Sequence, residues 1–367
     1  MSKISNQSDI NQRALRGADN LLQQCIGIKP GQSVLMVSEP ASEQCYEPEL
    51  VDLLVNRIQQ LGAKAVVESP VVIQDSVIPE SVAKVMADVD HTLFLSRMGD
   101  YARFASFTGE GSRTICYTRS IESLGAQFSI TNFSLMQTLH QRMMSELMAA
   151  KQWRIRCDLG TNISGTFCWP SNNDGVDEDF SMTLFPVTTF KPVPCDTANG
   201  KVALSRWLAP GGAHRIPNGR LSFDGVCFAK VRDGELAGFD GPKELAQKMS
   251  DHYDYMSQTL SVSRNRIHSW HAGINPNTQF SNVVNDNLEA WEAISFASPR
   301  YLHFHTCGDN PPCEIAWSVF NPTVEIDGVT FWQDGELVWL QRDDNVRLIR
   351  QVEGAECLLN KSADIGI

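Results

Sequence analysis

The 367-residue sequence predicts two domains of different architecture. The first is an α/β domain with a doubly wound parallel sheet, and the second is an α+β domain rich in antiparallel strands. Helix and strand signals alternate in the first part of the chain. From Trp153 onwards helix signals become rare, and all eight tryptophans lie at or after that position. We therefore predict domains over residues 1–152 and 153–367.

The elements of the first domain follow from the spacing of its apolar residues, which matches the helical period in some segments and buried strands in others. The predicted helices are 8–26, 48–61, 80–88 and 134–151. The predicted strands are 33–37, 63–68, 91–96 and 114–118. No Gly-x-Gly-x-x-Gly motif follows any of these strands, so the sequence predicts no dinucleotide site.

The second domain is marked by Asp-Gly pairs, which favour tight hairpin turns between antiparallel strands. Hairpin turns are predicted at five of these pairs, at residues 224–225, 233–234, 240–241, 327–328 and 334–335. Helical periodicity remains at 242–259 and 286–294, and 301–306 reads as a strand.

The charge balance excludes several classes of partner. Lysine and arginine number 31 against 43 aspartate and glutamate residues, which gives a net charge of −12. A protein that binds nucleic acid or an anionic membrane in general needs a basic face, so we expect neither partner. The sequence shows no signal peptide and no apolar segment long enough to span a bilayer. Its ten cysteines are dispersed without a Cys-x-x-Cys pair, which indicates a reduced, cytoplasmic protein.

Four of the eight histidines fall between residues 268 and 305. His303 and His305 would point to one face of the predicted strand, about 6.5–7 Å apart along it. With a carboxylate from Asp309 or Glu314 they would form a two-histidine, one-carboxylate set. Such a set suits non-haem Fe(II), and with water in an open position it also suits Zn²⁺. Alternatively, both histidines are ordinary hydrogen-bonded strand residues.

The neighbouring residues supply further candidates for catalysis and binding. His268 or His271 could act as a general base, because imidazole titrates near neutral pH, and Asp309 could share the acid–base role. Cys307 and Cys313 are either soft metal ligands or small buried residues. The predicted substrate-binding residues are Trp270, Asn275 and Trp317.

Several short motifs occur in an order that resembles a known superfamily. They are Gly27–Gln32 (GIKPGQ), Arg156–Gly160 (RCDLG), Gly273–Pro276 (GINP), Cys313–Trp317 (CEIAW) and Ile326–Gly328 (IDG). This order resembles the metallopeptidases of the leucyl aminopeptidase (aminopeptidase T) type. It equally resembles their relatives, the 2,5-dihydroxypyridine dioxygenases, which hold one Fe(II). The resemblance implies a dimer or larger assembly, and we expect a homodimer.

The resemblance also implies positions for metal ligands, and this sequence departs from them. Ser269 stands where relatives have glutamate or histidine. Glu314 and Ala316 stand where relatives have a His-x-Asp pair. The peptidases have another histidine on an intervening strand, which His303 or His305 would match. Either a shifted site forms from His303, His305 and Glu314, or the protein has no metal.

Three functions remain open from the sequence. The first is a metal-dependent enzyme, with non-haem iron favoured over zinc, that resembles the dioxygenases and acts on a small polar or aromatic substrate. The second is an aminopeptidase-related protein that binds or modifies peptides without the standard metal centre. The third is a metal-free enzyme that uses His271, Asp309 or Glu314 as acid and base.

Overall fold

The computed structural model describes residues 2–43, 45–70, 78–102, 109–169, 182–211, 216–280, 288–309 and 314–367. These residues form two β-sheets with helices packed on their faces. No helix among these residues has both the length and the apolar character needed to cross a bilayer.

The α-helices are numbered in chain order. They are α1 Ser2–Asp19, α2 Pro48–Gln60, α3 Glu80–Asp88, α4 Met98–Ala102, α5 Ile121–Leu124, α6 Gln127–Ile130, α7 Phe133–Ala149, α8 Lys243–Leu260, α9 Leu288–Ser295 and α10 Asp343–Ile349. A π-helical segment, Asn20–Cys25, continues α1. Short 3₁₀ helices lie at Ala41–Glu43, Val338–Gln341 and Ala355–Leu359.

The strands are numbered in the same way. They are β1 Ser33–Ser38, β2 Lys64–Glu68, β3 His91–Leu95, β4 Ser112–Cys116, β5 Gln152–Arg156, β6 Asn162–Thr166, β7 Thr183–Phe185, β8 Val193–Pro194, β9 Asn199–Pro210, β10 Leu221–Arg232, β11 Glu235–Asp240, β12 Ile267–Ala272, β13 Tyr301–Thr306, β14 Ile315–Phe320, β15 Thr323–Ile326 and β16 Val329–Trp332.

The first sheet is parallel, with strand order β2-β1-β3-β4-β7. Its central strands β1 and β3 are buried almost throughout, as expected when helices cover both faces of a parallel sheet. Helices α1 and α2 cover one face, and α3 and α4 cover the other. The fifth strand, β7, comes from beyond the predicted boundary at 152/153.

Within the described ranges the second sheet has eleven strands, and its strand pairs are antiparallel. Its main path runs β16-β15-β5-β6-β9-β14-β13-β12-β8, while β10 and β11 extend from β9. One face of β12–β14 packs against α7 and α8 in the main hydrophobic core. The structure thus confirms the mixed class, a parallel α/β part and an antiparallel α+β part.

Three of the five turns predicted at Asp-Gly pairs are present. Residues 233–234 and 327–328 join adjacent strands with positive φ at both positions, as in a type I′ hairpin. Residues 334–335 form a turn closed by a bridge between Gln333 and Glu336. The hairpins predicted at 224–225 and 240–241 are wrong. The first pair lies where the β9–β10 register shifts, and the second ends β11 just before α8.

Candidate metal centre

Three histidines from two neighbouring strands meet on one face of the second sheet. His271 in β12 is directly opposite His303 in β13, and His305 follows two residues later on the same face. The Nε2 atom of His271 lies 3.0 Å from Nε2 of His305 and is also in hydrogen-bond contact with Nε2 of His303. One ring nitrogen from each histidine lies within 4.8 Å of the others. We call this group the histidine triad.

The histidine triad fits a transition metal. Nitrogen ligands at about 2.0–2.1 Å from one metal would lie roughly 3.0–3.4 Å from each other, close to the observed 3.0 Å separation of His271 and His305. Neutral imidazole is a suitable ligand for zinc, iron, copper and nickel. Among the described residues, the group with metal-ligand spacing contains three imidazoles and no carboxylate. This donor set matches catalytic zinc sites and differs from the two-histidine, one-carboxylate set of many Fe(II) enzymes.

Aromatic side chains enclose the histidine triad. The His303 ring stacks on Tyr301 with a centroid distance of 5.4 Å and an angle of 13°. Phe296, just after α9, lies 4.7 Å from the same ring, and Phe190 meets His271 edge-on at 6.5 Å. His271 and His303 are buried, whereas His305 is partly exposed. The triad is therefore accessible from the side of His305, and its other side is apolar.

The turn after β12 fixes the strand of His271 against the end of α9. The backbone N–H of Asn275 donates to the carbonyl of Ala297 at 2.8 Å, and Trp332 Nε1 donates to the carbonyl of Gly273 at 3.2 Å. A Cβ atom on Gly273 would lie only 2.0 Å from the carbonyl carbon of Ala297. Only glycine fits at this position, because any side chain would collide with backbone.

The two predicted substrate-binding tryptophans lie on the sheet face opposite the histidine triad. Trp270 and Trp317 are fully buried on the opposite face of the sheet, because residues alternate along a strand. Trp270 packs against Trp153 at 5.6 Å, and Trp317 donates to the Tyr253 hydroxyl at 2.6 Å. Asn275 is buried in the turn described above. The positions of the two tryptophans do not support the predicted anchor role.

The predicted acidic residues also lie outside the histidine triad. Asp309 is exposed and accepts a hydrogen bond from the Ser263 hydroxyl. Glu314 precedes β14, and burial raises the pKa of its carboxyl group. Neither carboxylate belongs to the group with metal-ligand spacing. Cys307 is buried at the end of β13, where burial raises its thiol pKa to about 12, and Cys313 lies outside the described residues.

The two histidines assigned to acid–base chemistry have different environments. His268 lies at a bulge in β12, where its Nδ1 contacts the Ser269 hydroxyl at 2.9 Å. His271 instead joins His303 and His305, a grouping that the sequence reasoning missed. The alternation of residues in β12 would place His271 and Ser269 on one face, but the register between β12 and β13 cannot be read from either strand alone.

The ladder also locates the ligand positions that the family resemblance implies. Ser269, His305 and Ala316 are aligned across β12, β13 and β14. The next aligned row on this face contains His271 and His303. His305 of the histidine triad therefore lies in the same row as Ser269 and Ala316, which stand at two of the implied ligand positions. The other two members of the triad lie in the neighbouring row.

Comparisons with known proteins find similarity at the level of structure. No protein-family model matches the sequence, and no curated protein matches it. The fold is similar to that of a 2,5-dihydroxypyridine dioxygenase. That structure, from Pseudomonas putida KT2440, aligns with a TM-score of 0.62 and 13% identity over 92% of this chain and 99% of its own.

AmpT from Thermus thermophilus is also similar in structure. It aligns with a TM-score of 0.53 and 11% identity over 90% of this chain and 99% of its own. These likenesses confirm, at the level of the fold, the distant resemblance predicted from the order of the motifs. At such identities they show a shared fold, and activity has to be argued from the site itself.

Proposed function

We propose that this protein is a metal-dependent enzyme in which His271, His303 and His305 hold a single metal ion. The observation that carries the proposal is the convergence of three imidazole nitrogens within 4.8 Å on one sheet face. The fold shared with a dioxygenase supports Fe(II) as the first candidate metal, and the three-histidine donor set supports zinc as the second. Its substrate would be a small polar or aromatic molecule.

A bound Fe(II) ion would supply dioxygenase-type oxidation chemistry at this site. The protein's own contribution is to fix three ligands before the metal arrives. The strand pairing sets the positions of His271 and His303, and the stacked Tyr301 ring fixes the orientation of His303. Phe190 and Phe296 exclude water from the buried side, and the partly buried Phe296 offers a flat apolar surface to an aromatic ring. Substrate would enter beside His305, the partly exposed member of the histidine triad.

The test is the metal content of protein purified without a histidine tag and loaded anaerobically with Fe(II) or with Zn²⁺. We expect about one ion per chain in the wild type, as befits a single three-histidine site. The His271→Ala variant and the His303→Ala/His305→Ala double variant should lose it. His268→Ala is the matched control, because His268 lies in the same strand but outside the histidine triad.

Two results would contradict the proposal. Wild-type protein that binds no metal would favour the alternative function, an aminopeptidase-related protein that binds peptides without a metal centre. Metal that is retained in His271→Ala as fully as in His268→Ala would show that the ion lies elsewhere.

A further inference from the structure

A cluster of charged side chains lies at the carboxyl ends of the parallel strands, apart from the histidine triad. Glu39 follows β1, Arg97 follows β3 and Arg119 follows β4. The chain passes from β1 to β2 on one side and then to β3 on the other, so the strand order reverses between β1 and β3. In open α/β sheets, ligands bind in the crevice that such a reversal opens at this edge.

Arg97 is held by two carboxylates of the protein, Glu39 and Glu43. Its Nε donates to Glu39 Oε1 at 2.9 Å, and its Nη2 donates to Glu39 Oε2 at 3.0 Å and to Glu43 Oε2 at 2.6 Å. The side chains of Arg97 and Glu39 are almost completely buried. This ion-paired group therefore lies at the sheet edge where the strand order reverses.

Arg119 is poorly satisfied by comparison. Its Nη1 lies 3.4 Å from Glu289 Oε1, longer than the 2.7–2.9 Å usual for a charge-assisted hydrogen bond. Its buried Nε has no hydrogen-bond partner among the described residues. The guanidinium group stays protonated at every relevant pH, so Arg119 is a largely buried cation whose Nε has no partner among the described residues. The ring of Tyr46 flanks it at 5.6 Å.

The carboxylate of Glu289 lies close to both arginines. It belongs to α9, and its Oε1 lies 3.8 Å from Arg97 Nη1 and 3.7 Å from Cys45 Sγ in addition to its contact with Arg119. None of these contacts is short. The Glu289 side chain is 54% exposed, so it can turn out to solvent with little further change in hydration.

We propose that this crevice binds the carboxylate of an external ligand, which takes the place of the Glu289 carboxylate beside Arg119. The exchange replaces one carboxylate with another, so the charge next to Glu39 and Glu43 does not change. A free carboxylate is not tied to a helix, so it can approach Arg119 closely enough to engage Nε and Nη together. A small organic acid and the C-terminus of a peptide share this chemistry.

Isothermal calorimetry with succinate and with triglycine tests the proposal, and triglycine amide is the control ligand without a carboxylate. We expect Glu289→Gln to bind roughly two- to fivefold more tightly than wild type, because an exposed ion pair of this kind competes only weakly. Binding should be lost in Arg119→Met. Asp344→Asn is the control protein, since it breaks a comparable surface pair with Arg142 elsewhere.

Binding by succinate alone would identify a small organic acid as the ligand, and binding by triglycine would identify a peptide end. Either result supports the proposal if Glu289→Gln binds that ligand more tightly than wild type does. Equal binding of triglycine amide would overturn it, as would identical affinities in wild type and Glu289→Gln. Because the metal content of the protein is measured separately, this test is independent of the histidine triad.

Discussion

The two faces of strands β12 and β13 are made by alternate residues of the same short segments, yet one face is apolar and the other carries three imidazole rings. One face presents Trp270, Leu302 and Phe304, which are fully buried in the main core. The other presents His271, His303 and His305, whose ring nitrogens face each other. The comparison shows how a fold separates stability from chemistry, because the first face gains from burial while the second holds polar groups at close range.

The largest effect is expected on the tryptophan face. Trp270→Ala should lower the free energy of unfolding by about 3–5 kcal/mol, because it removes a fully buried ring that packs against Trp153 and Phe190. Urea denaturation measures this loss. Trp169→Ala is the control, since Trp169 is only partly buried, and a loss in Trp270→Ala no greater than in this control would contradict the core assignment.

On the histidine face, the expected effect depends on metal. A metal ion at about 100 times its Kd should stabilise the wild type by roughly 2.7 kcal/mol, because it binds the folded state alone. His271→Ala should abolish this gain, and His268→Ala should keep it. Thermal unfolding with and without metal measures both. An equal gain in the two variants would mean that the histidine triad does not hold the ion.

A smaller effect is expected at Tyr301, whose ring stacks on His303 of the histidine face. Tyr301→Phe keeps the ring that stacks on His303 but removes the hydroxyl that contacts Ser318 Oγ at 3.2 Å. We expect a loss of about 0.5–1.5 kcal/mol in unfolding free energy, with metal content unchanged. Loss of metal in this variant would show that the hydroxyl, and not the ring, positions His303.

The smallest effect concerns Glu314 at the edge of this face. Burial raises its pKa above the ordinary value of 4.5, so the folded state holds the proton more tightly than the unfolded state. The free energy of unfolding therefore falls as the pH rises from 4.5 through the raised pKa, because the buried carboxyl group must then lose its proton. Glu314→Gln should be more stable than wild type at pH 7, and the difference should shrink below pH 4.5.

Urea unfolding of both proteins at pH 7 and at pH 4 checks this expectation. Glu353→Gln, which changes an exposed glutamate, is the control. A stability difference that is independent of pH would show that Glu314 acts through its contacts rather than through its charge.

The sequence predicted local structure well and long-range register poorly. The Tyr301–Thr306 strand was predicted with its observed bounds, and the shared face of His303 and His305 followed from alternation alone. His271 could not be added to them, because the pairing of β12 with β13 depends on contacts across the loop and helix between them. Trp270 and Trp317 were placed at the site from proximity in sequence, whereas one residue along a strand changes the face.

The closeness of β12 to the end of α9 limits how this protein could be altered in the laboratory. Gly273 packs directly against the backbone of Ala297, and the Asn275 N–H donates to the carbonyl of the same residue. The Asn275 amide should therefore exchange with deuterium only when the whole region opens. A library of variants around the histidines can therefore include changes to the aromatic side chains. It should leave residue 273 as glycine, because variants with any other residue there would not fold.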